Sequence, residues 1–354
     1  MAHNKNFFRQ KKGLFATLIV FAFLLAIIAI SGCTTNGQNS SGLVVASDVG
    51  QAQKLKIGIQ ASPSTTLVIV ADEKGFFKDE NLNIELVEFS AGKFAFQAFL
   101  AKQLDFAAFG DVPVVLALIN GNNDFYVLSQ ILEKNLENRV VVLTDGTAAN
   151  PKDYFTAKKR KLSTINGGTA EFYTYNFLKY YGIDQNQVEI IFQKPEDIPI
   201  SLSTKSVDAI SDFEPYPYLA EQNLLGQTTS FTIPPEVYSP LYVVVADKEW
   251  TDKNPDAAAS FLKALKSAEE FVKKNPGESQ KIVAKRTRFS EDAIKAIWSA
   301  YGVKVTLTDE LMRNWNAEAK WAIETGKTKS TEIPDFEKIL KREILEAANG
   351  DSNK

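Results

Sequence analysis

Apolar strand patterns alternate with amphipathic helix patterns along most of the chain, and this alternation limits the fold more than any other feature. Residues 55–60 alternate apolar and polar side chains as a strand does, residues 66–74 follow a helical period that Gly75 is expected to end, and residues 84–89 return to a strand pattern. The same order repeats twice more before residue 131. Strands that alternate with helices predict a parallel α/β sheet flanked by helices.

Two long apolar strands, at 139–144 and 241–246, are separated by about 100 residues that carry further strand and helix patterns. We interpret these strands as crossings between two lobes. The first lobe would then contain residues 54–142 and 241–354, and the second lobe residues 143–240. After the second crossing the chain is mostly helical, and its apolar stripes are typical of core packing.

The amino terminus has the pattern of an export signal. Basic side chains precede the apolar run 14–30, and the run leads into Ser31-Gly32-Cys33. The basic residues are Lys5, Arg9, Lys11 and Lys12. Small residues before a cysteine are typical of bacterial-type lipoproteins, in which a signal peptidase cleaves there and the thiol receives lipid. We expect residues 1–32 to be a signal peptide, Cys33 to be lipidated, and residues 33–53 to form a flexible tether.

Two alternatives exist for this amino terminus. An uncleaved signal anchor stays open because about 17 apolar residues are near the lower limit for crossing a bilayer. A free structural thiol is disfavoured, since Cys33 is the only cysteine and exported chains avoid a lone reactive thiol.

Composition excludes several classes of protein. Removal of the signal takes four positive charges away and lowers the formal net charge from −3 to about −7, so we expect no nucleic-acid partner. His3, the only histidine, is lost with the signal. Nucleophilic triads need an imidazole, and most zinc sites need His or Cys, so we expect neither, and no cofactor. A hydrolase with two catalytic carboxylates stays possible on composition alone.

Several motifs in the right order resemble one family of binding proteins. They stand at 71–77, 82–85, 110–113, 166–171, 207–210 and 214–215. The pattern resembles that of nitrate, sulfonate, taurine and thiamine-pyrimidine-precursor binding proteins over roughly residues 55–333. The resemblance implies a two-lobed, periplasmic-binding-protein-like α/β fold of type II, in which each lobe is a sheet flanked by helices and the ligand lies in the cleft between them. A related pyrimidine synthase depends on an internal histidine and a cysteine-rich motif, and both are missing here.

The start of one helix offers a candidate anion site. Gly167, Gly168 and Thr169 open the helix pattern at 169–181 and provide backbone N–H groups, a hydroxyl and the positive end of the helix dipole. Taken alone, the same residues could be an ordinary helix cap, and the family resemblance favours the anion site. On the other lobe, the candidates lie at the carboxyl ends of strands, where ligands bind in open α/β sheets: Ser62, Ser64, Thr65 and Gly110.

Acidic residues complicate a purely anionic ligand. Asp111, Asp212 and Glu214 fall in loops predicted to face the cleft. An aminosulfonate would satisfy both the anion site and these carboxylates, whereas an aminopyrimidine would use the carboxylates together with stacking on an aromatic ring. The aromatic candidates are Phe172, Tyr173, Tyr216 and Tyr238. The alternatives are that Asp111 caps a helix, that Glu214 lies in a solvated turn, and that the aromatic residues pack in the core.

The sequence thus predicts an extracytoplasmic, lipid-anchored solute-binding protein that is not an enzyme. The resemblance implies a monomer that delivers a small molecule to ABC permease and ATPase subunits. The alternatives are a ligand-sensing domain built on the same clamp and, less favoured, the carboxylate hydrolase.

Overall fold

The computed structural model describes residues 54–147 and 149–350. Cys33 and the predicted signal and tether lie outside these residues. Within the described part, no helix combines the length and the apolar character needed to cross a membrane.

The larger sheet has six strands in the order β11-β4-β10-β3-β1-β2. Its strands are β1 Lys54–Gln60, β2 Asn83–Phe89, β3 Phe106–Gly110, β4 Phe125–Asn135, β10 Tyr242–Asp247 and β11 Tyr301–Thr306. β1 pairs in parallel with β2 and β3, whereas β10 runs antiparallel to β3 and β4. The sheet is therefore mixed, and not purely parallel as the strand and helix alternation predicted.

The smaller sheet has five strands in the order β7-β6-β8-β5-β9. Its strands are β5 Asn138–Leu143, β6 Arg160–Thr164, β7 Val188–Phe192, β8 Ala209–Phe213 and β9 Thr228–Phe231. β6 is parallel to β7 and β8, and β5 is antiparallel to β8 and β9. β5 and β10 each enter their sheet from the other sheet through a connection that contains no helix.

Helices flank both sheets. In the first half of the chain they are α1 Thr66–Glu73, α2 Phe76–Asp79, α3 Gly92–Leu100, α4 Val112–Ile119, α5 Pro151–Thr156, α6 Thr169–Tyr180 and α7 Ile198–Ser203. In the second half they are α8 Tyr216–Asn223, α9 Lys248–Lys253, α10 Pro255–Lys274, α11 Pro276–Thr287, α12 Glu291–Ile297, α13 Asp309–Glu324 and α14 Arg342–Gly350. The structure is thus mixed α/β with two sheets flanked by helices, as the sequence predicted.

The chain passes between the two sheets at two places. The first passage is Leu136 and Glu137, between β4 and β5, and the second is the helix-free segment 232–241. The sequence placed the first lobe boundary after residue 142, but β5 as a whole pairs within the smaller sheet. An apolar run such as β5 marks a buried strand and does not show to which sheet that strand belongs.

Apolar side chains from the helices form the core on each sheet. On the larger sheet the α10 ring of Phe261 is fully buried and stacks on Phe106 and Phe77, with ring centroids 4.5 Å and 5.1 Å apart. α13 contributes to both halves, because Trp315 packs beside the larger sheet and Trp321 packs against Phe172 beside the smaller one. Burial of each such ring stabilises the fold by about 2–3 kcal/mol.

Candidate ligand-binding site

A cavity lies between residues of the two sheets. It is lined from the larger sheet and its helices by Gln60, Ala91, Gly92, Lys93, Gly110, Pro113 and Tyr242, and from the passage and the smaller sheet by Glu137, Asn138, Ile165, Gly168, Thr169, Ala170 and Phe213. Strand pairing places several of these residues, since Gly110 lies opposite Tyr242 and Asn138 lies opposite Phe213. The enclosed space in this closed form is only about 30 Å³, which favours a small ligand.

Three helix amino termini contribute to the cavity wall. Gly92 begins α3, Pro113 lies in the first turn of α4, and Thr169 begins α6. In none of the three does the N-cap side chain accept a hydrogen bond from the first turn. The first N–H groups of a helix lack partners within the helix, and they carry the positive end of its dipole. This part of the wall is therefore suited to an anion.

The two halves are in close contact around the cavity. The Lys93 ammonium group donates a hydrogen bond of 2.6 Å to the backbone oxygen of Asn166 across the cavity. A Cβ added to Gly110 would lie 2.4 Å from Oγ1 of Thr169, so only glycine permits this approach. The structure thus has the halves closed on each other at this point.

A chain of hydrogen-bonding side chains connects the start of α3 to Glu137. Gln60 accepts through Oε1 from the Gly92 N–H at 3.0 Å, and its Nε2 donates to the Ser62 hydroxyl at 3.2 Å. Ser62 donates to Ser64 at 3.2 Å, and Ser64 donates in a very short hydrogen bond to Glu137 Oε2. These contacts fix the Gln60 amide and one Glu137 oxygen.

Glu137 of the first passage and Asn138, the first residue of β5, are buried polar residues that line the cavity. Glu137 is 1% exposed, and burial raises the pKa of its carboxyl to about 7 against the lowering effect of the Ser64 hydrogen bond. The Asn138 side chain is 3% exposed, and neither its oxygen nor its nitrogen has a hydrogen-bond partner. Buried polar atoms without partners are rare in folded proteins.

Some of the predicted site residues line this cavity and others do not. Gly110, Gly168 and Thr169 line it. Ser62, Ser64 and Thr65 do not; they are buried beside it, where the two serines hold lining residues and Thr65 bonds to the Gln60 carbonyl. Gly167, with φ +70°, lies outside the cavity, and its N–H donates to Glu171 at the start of α6.

Asp111 does not line the cavity and belongs to a separate buried cluster. It is the N-cap of α4, yet its side chain caps no N–H group, and neither oxygen has a hydrogen-bond partner. Burial raises its pKa to about 8. Tyr238 donates to Glu318 Oε1 at 3.2 Å, and burial together with the nearby Asp111 raises the pKa of Glu318 well above its usual value.

The other acidic and aromatic candidates are also engaged away from the cavity. Glu214 forms an ion pair of 2.6 Å with Arg139, and Asp212 accepts from the Phe213 N–H at 2.8 Å. Phe172 is buried in an aromatic cluster with Tyr238 and Trp321, with Tyr173 in the same core. These carboxylates and rings do not line this cavity: each carboxylate is next to a lining residue in the sequence, and the rings pack in the core.

Lining residues that the sequence reasoning missed follow a simple rule. Gln60 ends β1 and Gly92 and Lys93 follow β2, so each lies at the carboxyl end of a parallel strand, where ligands bind in α/β sheets. Glu137 and Asn138 are polar residues between two long apolar strands, and that interruption was the available signal. The described residues contain no group of three or more side chains able to hold a metal ion.

Comparison with known proteins identifies the family. The NMT1-like family matches residues 49–287, which is more than half of the chain. The chain belongs to the NMT1-like family. This agrees with the resemblance seen in the sequence motifs.

Individual relatives of this NMT1-like protein carry binding-protein names. A Bacillus subtilis (strain 168) protein named "Putative aliphatic sulfonates-binding protein" is 29% identical over 280 residues, 76% of each chain. The nitrate/nitrite binding protein NrtA of Nostoc sp. is 24% identical and covers 83% of this chain and 73% of its own. The crystal structure of the periplasmic aliphatic sulphonate binding protein SsuA from Escherichia coli has a TM-score of 0.69 at 18% identity, over 81% of this chain and 91% of its own. At that identity the likeness shows the fold, and the named relatives are binding proteins.

Proposed function

We propose that this chain is the extracytoplasmic solute-binding protein of an ABC importer. The observation that carries the proposal is the cavity between the two sheets, where the amino termini of α3, α4 and α6 meet. Positive dipole ends around a small cavity suit a small anion. The ligand class is then a sulfonate, nitrate or taurine-like anion, with a pyrimidine precursor as the alternative.

The mechanism is closure of two lobes on the ligand. The passages at 136–137 and 232–241 are the hinges, and the cavity is bounded by residues from both sides. Contacts such as the one between Lys93 and Asn166 form only when the lobes meet. A ligand that adds contacts to the closed form raises its population, and the ABC permease recognises that form. The protein acts as a monomer, held to the membrane by lipid on Cys33.

A thermal-shift screen tests the proposal. The full-length chain, purified in mild detergent and refolded to remove carried-over ligand, is heated with alkanesulfonates, taurine, nitrate and aminopyrimidines. A ligand at 100 times its Kd stabilises the native state by about 2.7 kcal/mol, which raises the midpoint by several degrees. A shift with one ligand class supports the proposal. No shift with any of these ligands would count against it.

A further inference from the structure

The cavity wall contains a buried carboxyl group that has no cation. Glu137 is 1% exposed and lines the cavity; Ser64 donates a hydrogen bond to its carboxyl, and its other hydrogen-bonding neighbours, Asn135, Tyr242 and Tyr301, are uncharged. No lysine or arginine in the described ranges forms an ion pair with it. Arg139, two residues further along the chain, forms ion pairs with Glu214 and Glu221 at 2.6 Å and 2.9 Å. A carboxylate removed from water is stable only with a partner charge or with a proton.

The one cationic side chain in the wall, Lys93, does not pair with Glu137. Lys93 donates to the Asn166 backbone oxygen and stands at the start of α3, beside the helix N–H groups. It therefore adds to the positive part of the wall and leaves Glu137 without a partner. The wall thus contains a positive region, formed by Lys93 and the helix termini, and a separate acidic group.

Asn138 adjoins Glu137 and has unused hydrogen-bonding capacity. Its Oδ1 and Nδ2 have no partner, and the residue is 3% exposed where it lines the cavity. A hydrogen bond to each of these buried amide atoms stabilises the protein as an ordinary hydrogen bond does, whereas an atom left without a partner loses its hydration and gains nothing in return. The ligand is the group in a position to supply these partners. Oδ1 of Asn138 can accept a hydrogen bond from an N–H donor on the ligand.

We infer that the ligand is a small zwitterion, an anion that carries a primary ammonium group, and that Glu137 and Asn138 bind the ammonium group while the helix termini and Lys93 bind the anion. This inference rests on the proposed function and narrows its ligand class. It also reassigns the acidic partner of the ligand, because Asp111, Asp212 and Glu214 do not line the cavity.

Binding then includes a proton transfer. In this closed form, burial raises the pKa of Glu137 to about 7, so the carboxyl readily holds a proton when no cation is beside it. The titratable groups that face Glu137 are Tyr242 and Tyr301, whose pKa values burial raises well above 10, and Asp212, whose pKa burial also raises. An ammonium group beside Glu137 favours its ionised form, and the carboxyl proton leaves to the buffer. Protons should therefore be released when an ammonium ligand binds to this form.

Calorimetric titration of the full-length chain with matched ligand pairs tests the inference. The pairs are taurine with ethanesulfonate, and β-alanine with propionate, and each pair differs by the ammonium group. In the pair that binds, we expect the ammonium ligand to bind at least about 30-fold more tightly. Glu137→Gln should reduce that ratio at least about 10-fold without weakening the ligand that has no ammonium group. Titrations in phosphate and Tris at pH 7 should show the proton release in wild type and not in Glu137→Gln.

The matched control is Glu133→Gln. Glu133 lies near the end of β4, the strand that leads into Glu137, but it is exposed and forms an ion pair of 2.7 Å with Lys304. This variant should keep the wild-type ratio and proton release. Equal binding of the two members of a pair, an unchanged ratio in Glu137→Gln, or binding of an aminopyrimidine alone would overturn the inference while the proposed clamp stands. If none of the anions in the thermal-shift screen or in these ligand pairs binds, both the proposed function and the inference are wrong.

Discussion

Replacement of Gly110 by alanine should block closure of the cavity. The new Cβ would lie 2.4 Å from Oγ1 and 3.3 Å from Cβ of Thr169, which belongs to the other side of the cavity. Carbon and oxygen atoms that are not bonded do not approach so closely, so Thr169 and the start of α6 must move away. Overpacking of one methyl group costs about 1–3 kcal/mol. Because the clash exists only in the closed form, the whole penalty falls on ligand binding.

The assay is calorimetric titration of Gly110→Ala with the tightest ligand from the thermal-shift screen. The penalty corresponds to a Kd raised about 5-fold to about 150-fold. The midpoint of unfolding without ligand should change little, since the open form has room for the methyl group. Thr169→Ala removes the clashing oxygen, so Gly110→Ala should cost much less in that background. Gly277→Ala is the control, because a Cβ there meets nothing within 4 Å.

Two results would refute this reasoning. Wild-type affinity in Gly110→Ala would mean that the halves do not close on the ligand as they do in this structure. An equal penalty with and without Thr169→Ala would mean that the lost affinity does not come from the contact between these two residues.

Three further predictions concern other parts of the chain. Lys93→Met removes the hydrogen bond to Asn166, and since the lysine is partly exposed we expect ligand dissociation to become only about 3-fold to 10-fold faster in stopped-flow measurements. Burial raises the pKa of Asp111 from 3.8 to about 8, so the contribution of this group to stability is present below pH 4 and is lost as pH rises to 8. The free energy of unfolding, measured in urea, should therefore fall over that pH range, and it should fall less steeply in Asp111→Asn. An equal pH dependence in the two proteins would exclude Asp111 as the cause. Cys33→Ala should abolish incorporation of radiolabelled palmitate in a bacterial host, and retained label would contradict lipidation at this residue.

Much of the fold could be predicted because the sequence patterns are local. The helix predicted at 66–74 is observed as α1, Thr66–Glu73, and the strand predicted at 84–89 is observed as β2, Asn83–Phe89. β9 and β11 were missed. β9 is the four-residue strand Thr228–Phe231 without apolar alternation, and β11 pairs irregularly with β4 across register shifts. Such edge strands depend on their neighbours more than on their own side chains.

Only those parts of the candidate site that depend on local backbone conformation could be predicted from the sequence. The start of α6 at Gly168 and Thr169 was predicted from glycines that open a helix, and both residues line the cavity. The role of a carboxyl group depends on partners that are distant in sequence. Arg139 takes Glu214, and Glu318 lies beside Asp111, more than 70 and 200 residues away respectively. No local pattern reveals such pairs, nor does one show that Glu137 lacks a cation.

The most direct test of the account is whether one ligand binds in the cavity between the two sheets. Calorimetric titration of the refolded full-length chain, and of Thr169→Trp, against taurine and ethanesulfonate measures this. The account predicts one site per wild-type chain and loss of affinity of at least about 100-fold when the indole fills the space beside Gly110. Wild-type affinity in Thr169→Trp would place the ligand elsewhere and contradict the account.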